Sequence, residues 1–313
     1  MTRHLPQLER RFLTDGGLET TLVFHDGIEL PCFAAFPLLA RPEGRARIAD
    51  YYRRYAAIAE REGTGFLLES VTWRASPDWA DRLGMSLETL DALNADAVRL
   101  MKEIAAELEG RGVPVALSGC VGPRRDGYQP DLAMSPAEAQ AYHARQIEIL
   151  AREGVDLVSA FTMTNSAEAI GIVRAARASG APVVISFTVE TDGRLPTGQP
   201  LGEAIEEVDA ATGGAAAYFM VNCAHPSHFA ETLDAGGAWV ERIGGLRANA
   251  STRSHAELDE AEELDDGDPQ GLGRDYRRLI QRHPRITVLG GCCGTDHRHV
   301  EAIARACEQA PAL

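Results

Sequence analysis

Short apolar runs rich in Val, Ile, Leu and Phe recur along the chain at 11–15 (RFLTD), 65–70 (GFLLES), 113–119 (VPVALSG) and 155–161 (VDLVSAF). The series continues at 181–189 (APVVISFTV), 216–223 (AAYFMVNC), 239–247 (WVERIGGLR) and 285–291 (RITVLGG). Nearly continuous apolar character, rather than alternation, is the pattern of parallel strands buried on both faces. The stretches between them have helical spacing. Ile48, Tyr51, Tyr55, Ile58 and Ala59 form one stripe, which predicts a helix lying against the strands. Ser135, Pro136 and Glu138 spell a capping box with proline at the first helical position, and Asn165 with Glu168 repeats the signal. Val300, Ile303, Ala304 and Cys307 make a last amphipathic helix, in which Cys307 is packing. About eight strands alternating with helices predict an α/β fold, a (β/α)8 TIM-type barrel forming a single domain over residues 1–313.

Two connections are longer than the rest, 16–41 and 248–270, and both follow the C-terminal end of a strand. In such barrels that end carries the active site, so these segments are expected to be lids or substrate walls. The second contains eight acidic residues and no basic one between Glu257 and Asp268, which reads as a solvated or mobile loop.

Composition narrows the function. Acidic residues outnumber basic ones 46 to 31, for a net charge of -15, which repels nucleic acid and anionic membrane surfaces. No run approaches the roughly 20 apolar residues of a membrane span, and the N-terminus lacks a signal-peptide core. The expected location is cytoplasmic and reducing, so the six cysteines are thiols rather than disulfides. The single lysine, Lys102, lies mid-helix among solvent-type residues, which removes Schiff-base and pyridoxal chemistry.

The strongest chemical signal is GGCCGT at 290–295, where two adjacent cysteines between glycines stand at the end of the eighth strand. Glycines there let the backbone turn so that both sulfurs can reach one ion. Cys223 closes the sixth strand and supplies a third sulfur at the same barrel mouth; Cys120, ending the third strand, is a weaker fourth candidate. The competing readings are small core residues, or a vicinal disulfide with a redox role. Three thiolates around zinc leave one open position, which marks a catalytic site and favours a soft fourth ligand, a thiol. Zinc lowers the thiol pKa, and an electrophilic methyl group is the natural target.

These residues resemble the zinc-dependent homocysteine S-methyltransferase family, which includes the betaine and S-methylmethionine enzymes. The matching stretches are TDGGLET (14–20), SGCVGP (118–123), ISFTV (185–189), FMVNCAHP (219–226), LRANAST (246–252) and VLGGCCGT (288–295). The resemblance implies a (β/α)8 barrel, Zn2+ held by Cys223, Cys292 and Cys293 as the catalytic and metal residues, and homocysteine converted to methionine. It implies a cationic donor, a sulfonium or quaternary ammonium compound, and assigns Asp15 to the amino group of homocysteine. A carboxylate beside close-approach glycines at a barrel mouth suits an ammonium.

The chain departs from the family at the fourth strand, where Phe161 occupies the place of a second amino-binding glutamate and an apolar ring cannot replace a carboxylate. Either Glu69 at the second strand's end compensates, or the acceptor is another thiol or selenol. Trp73 offers a face for the cationic donor, Arg74 a partner for a carboxylate, and Asn222 a means of orienting its neighbour Cys223. His225 before Pro226 reads as a turn residue, His297 and His299 as exposed, and the Asn249 sequon as without meaning in a cytoplasmic protein. Readings of another class are a zinc-assisted lyase or hydrolase and a vicinal-dithiol metal or redox sensor.

Overall fold

The computed structural model describes residues 4–128 and 134–307. Eight parallel strands form one closed barrel in sequence order: β1 (Phe12–Leu13), β2 (Gly65–Glu69), β3 (Val115–Val121), β4 (Leu157–Met163), β5 (Val183–Phe187), β6 (Tyr218–Asn222), β7 (Ile243–Ala248) and β8 (Val288–Gly291). Phe12 closes it by pairing with Gly65 on one side and Val288 on the other. The expected barrel is present. An outer ring consists of α1 (Pro42–Arg61), α2 (Leu87–Glu109), α3 (Pro136–Arg152), α4 (Ser166–Ala178), α5 (Leu201–Thr212), α6 (Pro226–Asp234), α7 (Pro269–Arg282) and α8 (His297–Cys307).

The helices form where the pattern placed them. In α1 the stripe Ile48, Tyr51, Tyr55, Ile58 and Ala59 is buried against the strands. Ser135 and Glu138 make the reciprocal capping box of α3. At α4 only half of that device forms: Asn165 accepts the Glu168 N–H, while the Glu168 carboxylate turns to His143 at 2.9 Å. Cys307 is fully buried in packing and Lys102 is exposed, both as expected.

The core has two layers, as the fold requires. Between barrel and helices lies the large shell; inside the barrel Phe12, Leu67, Ala116, Cys120, Leu157, Phe161, Val184, Met220 and Val288 fill the interior. Two strand expectations need correction. The first four residues of the seventh run, 239–242, belong to the 3-10 turn Ala238–Arg242, and β7 begins only at Ile243. Likewise β1 is just two residues, Phe12–Leu13, although Thr14 and Asp15 keep backbone hydrogen bonds to Leu289 and Gly291 of β8 and so carry Asp15 to the mouth.

The long connections are not plain loops. Residues 16–41 contain Leu18–Thr20 and further short helical turns, and 248–270 contain the helix His255–Asp259. Both line the cavity at the C-terminal mouth, so they are walls of it; the acidic stretch is largely exposed to solvent but contributes Leu258, Ala261 and Leu264 to that wall. No helix among the described residues is long and apolar enough to cross a membrane.

Candidate metal centre

The cavity, of about 420 Å³, is lined by strand ends from around the barrel, including Asp15, Glu69, Phe161, Asn222, Cys223, Arg247, Cys292 and Cys293. Its base is a triangle of sulfurs. Cys223 Sγ lies 2.9 Å from Cys292 Sγ and 3.6 Å from Cys293 Sγ, and all three lie within 4.8 Å of one another. Cys120 is a correction: it stands outside this cluster, facing the apolar barrel interior, where burial pushes its thiol pKa up.

Local backbone chemistry aims the sulfurs. β8 ends at Gly291, and Cys292 and Cys293 follow in a turn that Gly294 completes at φ +78°. Cys223 itself sits at φ +56°, a left-handed conformation rarely adopted by a residue with a side chain. The strain is held by neighbours. Its N–H donates to the Arg247 carbonyl, and its own carbonyl accepts from Asn249 Nδ2 at 3.0 Å and from His255 Nε2 at 2.7 Å. Asn249, dismissed as a sequon, therefore has a structural role.

Asn222 ties a second strained residue to the site. Its Oδ1 accepts from the Thr162 N–H (2.9 Å) and the Ser186 hydroxyl (2.7 Å), and its Nδ2 donates to Thr162 Oγ1 (2.9 Å) and Cys292 Sγ (3.8 Å). Thr162, at φ +63°, lies where the β4–β5 register shifts between Ala160 and Met163. Above the sulfurs, Tyr128 brings its hydroxyl to 3.3 Å from Cys223 Sγ and 3.7 Å from Cys293 Sγ, while its ring stacks on His255 at 4.1 Å.

These contacts move the thiols in opposite directions. Hydrogen bonds from the Cys223 and Cys293 thiols, with Arg247 and Asn222 nearby, hold Cys292 well below the usual thiol range. Cys223 is pushed up, by the same hydrogen bonds seen from the other partner and by burial.

Beside the sulfurs, Arg247 reaches in from β7 between two carboxylates. Its Nη2 is 2.8 Å from Asp15 Oδ1, and its Nη1 bonds Glu69 Oε2. Asp15 also accepts from the Tyr51 hydroxyl at 3.1 Å. Burial raises both carboxyl pKa values against the pull of Arg247, Glu69 to about 8. Glu19, on the cavity wall, is raised by burial to about 7. Trp73 lines the cavity and donates to the Phe161 carbonyl, but the Arg74 guanidinium lies 4.8 Å from its ring and pairs with Asp126 at 2.9 Å.

Residues 12–307 match the sequence profile of the homocysteine S-methyltransferase family. The chain belongs to that family. Homocysteine S-methyltransferase 4 of Zea mays is 26% identical to this methyltransferase over 95% of the chain and 90% of its own length. Homocysteine S-methyltransferase 1 of Arabidopsis thaliana is 23% identical over 94% and 92%. The homocysteine methyltransferase MmuM of Escherichia coli has the same fold: its oxidized form superposes with TM-score 0.74 at 22% identity over 94% of this chain and 95% of that one. Its metallated form gives 0.72 at 21% identity over 95% and 96%.

The histidines sort themselves. His225 caps α6 by accepting the Ser227 N–H, as a turn residue should. His297 is partly buried, and His299 is a correction: it is fully buried, held by Asp296 and the Asp266 carbonyl, because α8 packs its first turn inward. Sequence reasoning passed over Arg247, Tyr128 and His255. An arginine at the end of a buried strand is a signal that could have been read; Tyr128 and His255 lie in connections without periodicity, so nothing marked them.

Proposed function

We propose that the chain is a zinc-dependent S-methyltransferase that moves a methyl group from a sulfonium or quaternary ammonium donor to the thiol of homocysteine, giving methionine. The observation that carries this is the sulfur triangle of Cys223, Cys292 and Cys293 at the C-terminal mouth of the barrel. Zinc bonded at 2.3 Å to each sulfur needs them about 3.8 Å apart, so the spacings of 2.9 and 3.6 Å require shifts of under about an ångström. The donor set is soft and has no histidine, which suits a thiol as the fourth ligand. Zinc held there would lower the pKa of the incoming thiol and supply its nucleophilic sulfur at neutral pH.

The chain's own residues do the rest. Cys223, Cys292 and Cys293 fix where the acceptor sulfur sits, and Asn222 Nδ2 steadies Cys292. Asp15 lines the same cavity, where an amino group attached to that thiol would reach. Transfer is an in-line displacement: the acceptor sulfur bonds the methyl carbon as the donor's S–C or N–C bond breaks, and the leaving group departs with the electron pair, uncharged at that atom. No general base is needed, because positioning of the two reactants supplies the main effect. Its partners are small molecules, consistent with the family and with a net charge that disfavours nucleic acid. A reducing cytoplasmic setting belongs to the same reading, since six free thiols must stay reduced.

Cys293→Ala tests the proposal. Zinc content by atomic absorption should fall from about one per chain to near zero, and methyl transfer should fall with it. Full zinc and full turnover in that variant would refute the assignment.

A further inference from the structure

The amino-acid end of the cavity is built differently from what the resemblance implies, and the differences fit one another. Phe161 stands where a second carboxylate was expected, and its ring lies 5.1 Å from the guanidinium carbon of Arg247. Arg247 bridges Asp15 on one side and Glu69 on the other. Its fork is fixed by two more acceptors, with Nε donating to the Gly291 carbonyl at 2.9 Å and Nη2 to the Gly16 carbonyl at 3.1 Å. Two carboxylate oxygens are left over. Asp15 Oδ1 has the ion pair with Arg247 but no hydrogen-bond donor, and Glu69 Oε1, on a residue only 3% exposed and lining the cavity, has neither.

Buried carboxylate oxygens are rarely left unpartnered, because the lost hydration is not recovered. A ligand ammonium supplies the missing donor and, by pairing with the carboxylates, favours their ionised form against burial. An acceptor without an amino group, recognised through Arg247 alone, would leave Glu69 Oε1 as it stands.

We propose that Glu69 on β2 is the second carboxylate for the acceptor's amino group, and that Arg247 is the positioning residue that holds Glu69 and Asp15 in one plane of recognition. Phe161 is then the apolar plate against the guanidinium, and its arrival on β4 and the use of Glu69 on β2 are two parts of one rearrangement. The inference rests on the thiol-methylation reading of the cysteine site.

Calorimetric titration of the zinc-loaded protein with L-homocysteine and with 4-mercaptobutanoate, the same thiol without its amino group, tests it. The wild type should bind homocysteine on the order of 10- to 100-fold more tightly. Glu69→Gln keeps the side-chain shape and leaves Arg247 paired with Asp15. It should lower that preference by roughly 10-fold or more, while zinc content and affinity for 4-mercaptobutanoate stay at wild-type levels. Arg247→Lys keeps the charge but loses the fork, and it should erode the same preference. Equal binding of the two thiols by the wild type, or an undiminished preference in Glu69→Gln, overturns the assignment and leaves the zinc–thiol reading standing. Failure of both thiols to bind the zinc-loaded wild type overturns the two together.

Discussion

Asp296, just past the cysteine turn, shows how a single side chain anchors the metal loop to the last helix. Burial would raise its pKa, but hydrogen bonds from His299 and Arg298 outweigh burial and hold the carboxyl far below its ordinary 3.8. A folded-state pKa below the unfolded one contributes stability above about pH 3.8 and loses it as the pH falls further. Asp296→Asn should therefore cost about 1–2 kcal/mol at pH 7 by denaturant unfolding, and the gap from wild type should begin to narrow as the pH falls below about 4. A gap independent of pH would refute that origin. At the same scale, Cys292 and Cys293 were legible because two adjacent thiols between glycines have few structural uses. Arg247 left a weaker mark, one charge at the end of an apolar run, and only the barrel shows that Asp15 and Glu69 stand on either side of it.

Among elements, the strands were legible wherever burial on both faces gave an unbroken apolar run, as in β2, β5 and β6. The reading failed where an apolar run served another element. Trp239 and Val240 belong to a 3-10 turn, with Trp239 packing beside Gly202 and Gly237 instead of entering the ladder. The meeting of β1 and β8 sets the position of Asp15, and Gly290 is what allows it. A Cβ at Gly290 would come within 2.9 Å of the Asp15 carbonyl oxygen and of Thr14 Cβ, both part of the β1 exit. Gly290→Ala should destabilise by about 1–3 kcal/mol and raise KM for homocysteine more than it lowers kcat, because Asp15 is displaced while the sulfurs keep their turn. Wild-type melting temperature and KM in that variant would contradict this account of the seam.

On the scale of the whole molecule, the barrel solves a problem of convergence. Cys223 on one strand end and Cys292 and Cys293 on another are some 70 residues apart in sequence, and Asp15, Glu69 and Arg247 come from three further strand ends. Closing eight strands in order brings all of them to one mouth, with the two long connections walling the space above. The fold and the sulfur triangle could be read from the chain because each rests on a local pattern repeated around the ring. Of the charged residues, Asp15 and Glu69 could be named from the chain, but their bridging by Arg247 exists only once the ring is closed. X-ray absorption at the zinc edge of the reduced protein, with and without homocysteine, tests the central claim most directly. The account predicts three sulfur neighbours and one lighter atom around zinc, becoming four sulfurs when homocysteine is added. A metal shell that homocysteine leaves unchanged, or protein that retains no zinc at all, would contradict it.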